Sequence, residues 1–428
     1  MPDAAHQPRN SDEPRKLSVL AIYSWREFWS MGEGRGAPSF FLSITSFPKR
    51  GHEMHVLMPG RPGSTAVEDY HGVTLHRFRS AIDFMPEAGS SRLLQHVKRL
   101  LSYLYWFVRV VPAGKALAEE IGADVVIGMG ELGAPAACRV ARSRGVPNIT
   151  RLFGIGMFLD EVLASPLKLA LRYRETRALT TPADYIILCD DGSQGDVLAR
   201  HLGVDTAKLL HWPNGVDKAR HMSTESATDV RAKLGIPEAG RVVLSVSRLY
   251  FEKHVDRVLE AALGVAAARD DVTFVIVGSG KERGRLEKLA ESLGIPNRIV
   301  FAGSVGREEL PDYYKAADVF VALSDRTNVS NSLHEAMISG LPVVVLNTGS
   351  TADVVSDGET GILVEEDDLA RVPEALLSLL NDDERRCEMG ERAQRDADER
   401  LRTLDERQVM EAEVAERAVR ERAARGSA

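Results

Sequence analysis

Cysteine is nearly absent from this 428-residue chain: Cys138, Cys189 and Cys387 are its only three. They stand far apart and form neither a zinc-ligand spacing nor a redox pair, so isolated thiols in a reducing compartment are expected. Long apolar runs are also missing. No stretch of about 18 uncharged apolar residues exists, and no spanning helix is expected. The first 15 residues are polar, hold Pro2, Pro8 and Pro14, and lack the apolar core of a secretory signal. Residues 1–15 therefore read as a disordered tail and the protein as cytoplasmic. Basic charge is in deficit, with 54 Lys and Arg against 62 Asp and Glu. A net charge of −8 argues against a general nucleic-acid binder, which needs a basic face for phosphates.

What is present suits a globular protein: 44% hydrophobic and 27% charged residues. The length suggests two domains, each with its own core. The halves differ in charge. Residues 1–212 hold 25 bases and 22 acids, a net of +3, whereas residues 213–428 hold 29 and 40, a net of −11. Short Val- and Ile-rich runs alternate with helix-period segments throughout. Leu17–Tyr23, Met54–Met58, Val125–Ile127, Asn148–Leu152 and Tyr185–Cys189 read as buried strands of the first half. Val242–Val246, Thr273–Val277, Ile299–Phe301, Val319–Leu323 and Val343–Leu346 do so for the second. This alternation implies an α/β protein of two Rossmann-like domains, with parallel sheets facing across a cleft. The boundaries expected are 16–212 and 213–400, with a hinge at Trp212–Asp217, where Pro213 and Asn214-Gly215 interrupt regular structure. From Asp382 to Arg425, 14 acids and 11 bases interleave. The expectation there is one solvated, salt-bridged surface helix, with the Asp396-x-Asp398 pair facing water rather than a metal.

In an open parallel sheet, ligands bind at the carboxyl ends of strands. Reading those ends gives Ser247-Arg248 and Lys253, then Gly278-Ser279-Gly280, then Asp325 to Asn331 leading to Glu335. Arg248 can fork onto two phosphate oxygens, and Lys253 adds a point charge from the next turn. The glycine pair is no dinucleotide fingerprint, because Arg283 stands where a third glycine belongs. It still allows close approach of backbone to a phosphate or base.

In order and spacing, Arg248 and Lys253, Gly278-Ser279-Gly280, Gly303-Ser304-Val305 with Glu308-Glu309-Leu310 and Tyr314, and Glu335-Ala336-Met337 with Gly340-Leu341-Pro342 form one set. The set resembles the retaining nucleotide-sugar glycosyltransferases of the GT-B fold, glycosyltransferase family 4 in particular, as a diverged subgroup. The likeness is close from Trp212 to Val364 and looser before it. It implies that Arg248 and Lys253 hold the donor diphosphate and stabilise it as it leaves, with Ser247, Gly278 and Gly280 also on the donor side. Glu335 would accept bonds from the ribose hydroxyls, and backbone around Val305 would meet the base. Gly34 and Gly36 would let the first helix approach the phosphates or the acceptor. The resemblance further implies a metal-independent reaction without a cofactor, a nucleotide sugar (UDP by family habit) as substrate, and a last helix, 401–428, returning toward the amino domain.

The chain also departs from that pattern. The family's second Glu, eight positions before Glu335, is Thr327 here. Backbone N–H groups of Asn328 and Val329 are then expected at the sugar, and the side chains of Asn328 and Asn331 are candidates to replace the missing contact. The family's strand-end histidines are absent from the amino half. Glu131, Arg151 and Asp191 follow strands there and are candidate acceptor residues, with helix capping the competing explanation for Glu131 and Asp191. The acceptor is an unidentified hydroxyl compound: a saccharide, a lipid-linked species or a small molecule. The alternatives are a nucleotide-sugar epimerase of the same fold and an inactive binding protein. Finally, residues 92–111 combine Arg92, Lys98, Arg99 and Arg109 with Leu, Tyr, Trp and Phe. That helix either packs into the core or lies on an anionic membrane at the inner face.

Overall fold

The structure, a computed structural model, describes residues 15–25, 39–60, 66–79, 92–155, 159, 163–222 and 228–426. Gly34, Gly36 and all of the amino-terminal tail except Arg15 lie outside the described residues.

Eight strands of the first half form one sheet: β1 (Ser18–Tyr23), β2 (Glu53–Gly60), β3 (Val67–Tyr70), β4 (Val73–Arg79), β5 (Val125–Met129), β6 (Asn148–Leu152), β7 (Tyr185–Cys189) and β8 (Leu209–Trp212). Their order is β3-β4-β2-β1-β5-β6-β7-β8. Neighbours run parallel, except that β3 meets β4 antiparallel across the His71-Gly72 turn. Both turn residues have positive φ, 53° and 77°, the geometry that suits a two-residue hairpin. Six strands form the second sheet: β9 (Arg241–Val246), β10 (Val272–Val277), β11 (Ile299–Gly303), β12 (Val319–Ala322), β13 (Val343–Leu346) and β14 (Gly361–Val364). That sheet is wholly parallel, in the order β11-β10-β9-β12-β13-β14. This is the expected architecture of two parallel-sheet α/β domains. The hairpin β3–β4 and the strands β8 and β14 add to it.

Strand pleating decides which helices each sheet carries. Val19, Ala21 and Tyr23 of β1 join one core with α1 (Ser39–Lys49) and the last helix. Leu20 and Ile22 point the other way, to α2 (Arg92–Glu120) and α3 (Gly130–Arg144). Central β9 divides in the same manner, Val243 facing one core and Val242 with Leu244 the other.

The chain crosses between the sheets twice, side by side. Val216 N–H donates to the Arg402 carbonyl at 3.0 Å, and Leu404 N–H to the Val216 carbonyl at 3.1 Å. At this crossing the helix-forming stretch after Asp382 breaks into two, Asp383–Arg400 and Leu404–Gly426. Buried Leu401 pins the break, and a capping box restarts the second helix. Thr403 N–H donates to Glu406 Oε2 at 2.8 Å, and Glu406 N–H to Thr403 Oγ1 at 3.2 Å. Neither helix is merely solvated. Met389, Ala393 and Ala397 are buried in the first, and Ala412, Ala415 and Ala418 in the second. Small residues let these charged helices come close to their sheets. The second lies on α1, β5 and β7. Asp396 is paired with Arg400, and Asp398 with Lys218 at 2.8 Å.

Candidate active site

The loop after β9 carries the two cations. Arg248 is exposed, its guanidinium 5.5 Å from the centre of the Tyr250 ring. Lys253 ends the short turn Phe251–Lys253 and is half-buried. Burial, reinforced by the charge of Arg248, holds the Lys253 ammonium below its ordinary pKa, while Glu252 and Asp191 pull the other way. The pattern Gly278-Ser279-Gly280 suggests room for a phosphate or base, but protein fills the space against both glycines. A Cβ on Gly278 (φ +139°) would sit 1.8 Å from the Ser247 carbonyl oxygen, and one on Gly280 would sit 2.1 Å from that of Leu249. These glycines let the β10 loop buttress the β9 loop, with Leu249 N–H donating to the Ser279 carbonyl at 3.0 Å. Ser247 N–H is likewise used internally, on Val277 at 3.0 Å. Sequence reasoning missed His254, which adopts φ +44° and meets Asp325 Oδ2 through Nε2 at 2.9 Å. That contact ties the cation loop to the loop after β12, and no local sequence signal marks it.

The β12 loop differs from expectation at Asn328 and at the backbone of Val329. Asn328 is 2% exposed, and its side chain is spent inside the loop. Its Nδ2 donates to the Ser324 and Leu346 carbonyls and to Thr348 Oγ1 at 3.0–3.1 Å, while Oδ1 accepts from Ser324 N–H at 2.9 Å. Its backbone N–H goes to Thr351 Oγ1, and that of Val329 to Thr327 Oγ1 at 3.0 Å. Both backbone donors are thus occupied. Asn331 Oδ1 accepts from Asn214 Nδ2 at 3.0 Å, bracing the hinge. Asn328 and Val329 are buried, and buried polar groups must be satisfied from within.

Glu335 sits in the Asn331–Ile338 helix, which Ser330 caps. Tyr314 hydroxyl donates to Glu335 Oε2 at 3.0 Å. Burial pushes the Glu335 carboxyl up to about 7, against the pull of Tyr314 and Arg307. Glu335 lines a depression with Asp217, His221, Arg307 and Asn331. Burial also pushes His221 down to about 4, so its ring is neutral, and its Nδ1 lies 2.8 Å from Ser339 Oγ. Val305 is half-buried and packs on the core below.

Across the cleft, the loop after β7 reaches the same place. Burial raises the Asp191 carboxyl above its ordinary range, although Ser193 bonds it through N–H and hydroxyl. Asp191 Oδ2 packs over Gly154, where a Cβ would lie 1.9 Å away. The next residue, Gly192, is pressed against Thr327 and Val329, and its carbonyl accepts from Ser350 N–H at 3.1 Å. Asp191, Lys253 and Thr327 are thereby brought together from both sheets. Arg151 is not. It is 2% exposed, its Nε 2.9 Å from Glu411 on the last helix and its guanidinium over the Phe153 ring. A charge so enclosed holds the helix in place and is not available to an acceptor. Glu131 stands half-buried in the first turn of α3, where its charge suits the helix dipole.

Two family models match the chain: "Glycosyltransferase Family 4" over residues 44–220 and "Glycosyl transferases group 1" over residues 226–396. Together they take in most of its length. The chain belongs to the GT-B glycosyltransferases of the family 4 type. Among similar proteins is a GDP-mannose-dependent alpha-mannosyltransferase of Mycolicibacterium smegmatis, 28% identical over 76% of this chain and 79% of that one. An alpha-monoglucosyldiacylglycerol synthase of Streptococcus pneumoniae is 31% identical, over only 39% of each chain. The sucrose-phosphate synthase of Thermosynechococcus elongatus has the same fold, with a TM-score of 0.71 at 19% identity over 93% of this chain and 98% of that one. This glycosyltransferase therefore sets its carboxyl strand ends face to face, Arg248, Lys253 and Glu335 on one side and Asp191 on the other.

Proposed function

We propose that this glycosyltransferase moves a hexose from a nucleoside diphosphate sugar to a hydroxyl acceptor with retention of configuration. The observation that carries the reading is the pair Arg248 and Lys253, held at one strand end and electrostatically coupled. A Lys253 ammonium disfavoured by burial and by the charge of Arg248 is relieved by a diphosphate, and most strongly as its bond to the sugar breaks. In this reading they do the work of a divalent metal, and no cofactor is needed. Glu335, as the carboxylate, accepts from the ribose hydroxyls. Asp191 supplies, from the opposite domain, the carboxylate that Thr327 does not. Gly192 already occupies the space over Thr327, so a longer acid at 327 would displace the loop that carries Asp191. The leaving phosphate takes the acceptor proton on the face it departs from, so no protein nucleophile is required, and catalysis is positional and electrostatic.

Several mycobacterial relatives are named for GDP-mannose, including the phosphatidylinositol monomannoside mannosyltransferase of Mycobacterium tuberculosis (32% identical over 43% of this chain and 50% of that one). A guanosine donor therefore belongs in the screen beside uridine and adenosine. Calorimetry with UDP-, GDP- and ADP-hexoses, followed by product analysis, tests the reading. The expected outcome is binding of one base, with slow hydrolysis or transfer. Arg248→Ala and Lys253→Ala should each lower turnover by about 10²–10³ without shifting the melting temperature. An epimerised donor, binding without any turnover, or full activity of the double variant would each overturn it.

A further inference from the structure

Helix α2 has two apolar faces, and only one is covered. Trp106, Val110 and Leu117 are buried against α3 and β1, and Trp106 Nε1 donates to the Leu132 carbonyl at 3.0 Å. On the opposite side lie Val97, Leu100, Leu101, Leu104 and Val108, between 46% and 70% exposed. Their spacing of 3, 1, 3 and 4 residues makes one stripe, about 16 Å long at the rise of a helix. The neighbouring helix Pro166–Leu171 adds Leu167 and Leu171, 70% and 41% exposed. Tyr173, two residues after this helix, meets Tyr103 of α2 edge-on, ring centres 5.4 Å apart. These seven residues are more than half of the twelve large hydrophobics left exposed among the described residues. The five on α2 form one stripe rather than a scatter, and an apolar patch of this kind marks a contact surface.

Charge selects the occupant. Lys98, Arg109, Lys115 and Lys168 are exposed around the stripe, and α2 carries no acid before Glu119. A second copy meeting this face symmetrically would bring like cations together. An anionic lipid surface accepts both the leucines and the cations. No described helix is long and apolar enough to cross a membrane, so α2 lies on it. We infer that α2 with the Pro166–Leu171 helix docks this glycosyltransferase on an anionic phospholipid membrane, which presents the acceptor to the cleft. The purpose rests on the transfer reading above; the docking does not.

Flotation of the full chain tests it, with vesicles of phosphatidylcholine alone and of phosphatidylcholine with phosphatidylglycerol. The protein should float with the anionic vesicles, and more than about tenfold less with the neutral ones or for Lys98→Glu/Lys168→Glu. Leu101→Asp/Leu104→Asp should abolish flotation at an unchanged melting temperature, since both side chains are exposed. Wild-type protein that stays down with anionic vesicles, or an Asp variant that floats like wild type, overturns the inference. So does a dimer, seen by light scattering, that the Asp variant breaks while neither protein floats. Donor turnover without acceptor, measured in parallel, reports separately whether the transfer reading survives.

Discussion

Arg151 and Arg248 both stand near the carboxyl end of a parallel strand, one inside β6 and the other just past β9, and meet opposite fates. Arg248 remains exposed over Tyr250. Arg151 is enclosed, because the last helix returns from the second domain and lays Glu411 and Arg407 against it. Arg407 in turn covers Trp212 at 4.7 Å and donates to the Pro213 carbonyl at 3.1 Å. Glu411 thus answers two buried guanidinia at the hinge. A strand-end cation is available for chemistry only if no distant segment comes back to neutralise it. The two domains differ in this: one leaves Arg248 exposed at a strand end, the other spends Arg151 on holding the two halves together.

The comparison breaks most sharply at Glu411. Glu411→Ala leaves Arg151 and Arg407 buried and facing each other, and should cost about 3–5 kcal/mol of stability. Chemical denaturation followed by tryptophan fluorescence measures it. Arg248→Ala, by contrast, should leave stability unchanged. If Glu411→Ala is as stable as wild type, the network is not what fixes the last helix. A smaller effect is expected at Asn328, the donor-side residue spent on structure. Asn328→Ala leaves the Ser324 and Leu346 carbonyls short of partners, and should cost about 1–3 kcal/mol. Weaker donor binding, read by calorimetry, should accompany that loss, because the loop it braces ends at the Glu335 helix.

The same contrast explains what could be read in advance. The strands β1, β2, β5, β7, β9, β10, β12 and β13 were legible because they are mostly apolar and buried on both faces. The hairpin β3–β4 alternates polar with apolar residues at a sheet edge, and β8 is only half-buried along its length; neither matches that pattern. Arg248, Lys253 and Glu335 could be picked out as candidates because they stand at strand ends or at a fixed spacing from them. The fate of Arg151 was not, since its partner Glu411 lies 260 positions later. Asn328 has the composition of a ligand-binding loop residue, and only burial shows that its four bonds close inward. Gly278 and Gly280 advertise close approach, but the sequence does not say of what. His254 joins two loops whose proximity only the fold creates.

The finest test of the comparison concerns pH. Glu335 is the donor-side counterpart of Glu411, an acid enclosed without a guanidinium bonded to it. Burial pushes its carboxyl up to about 7, so below that pH it is protonated and, on the proposed reading, a poorer acceptor for the ribose hydroxyls. Donor affinity should therefore rise as pH passes upward through 7, by about tenfold if one hydrogen bond to a charged acceptor is gained. Stability moves the other way. The folded state holds the proton more tightly than the unfolded chain, so stability from this group is full below about 4.5 and is lost as pH rises toward 7. Glu335→Gln should abolish the rise in affinity and be more stable than wild type at pH 8. A titration of affinity in which Glu335→Gln keeps the wild-type pH profile would move the ribose contact to another residue, with Asp217 on the same depression the next to test.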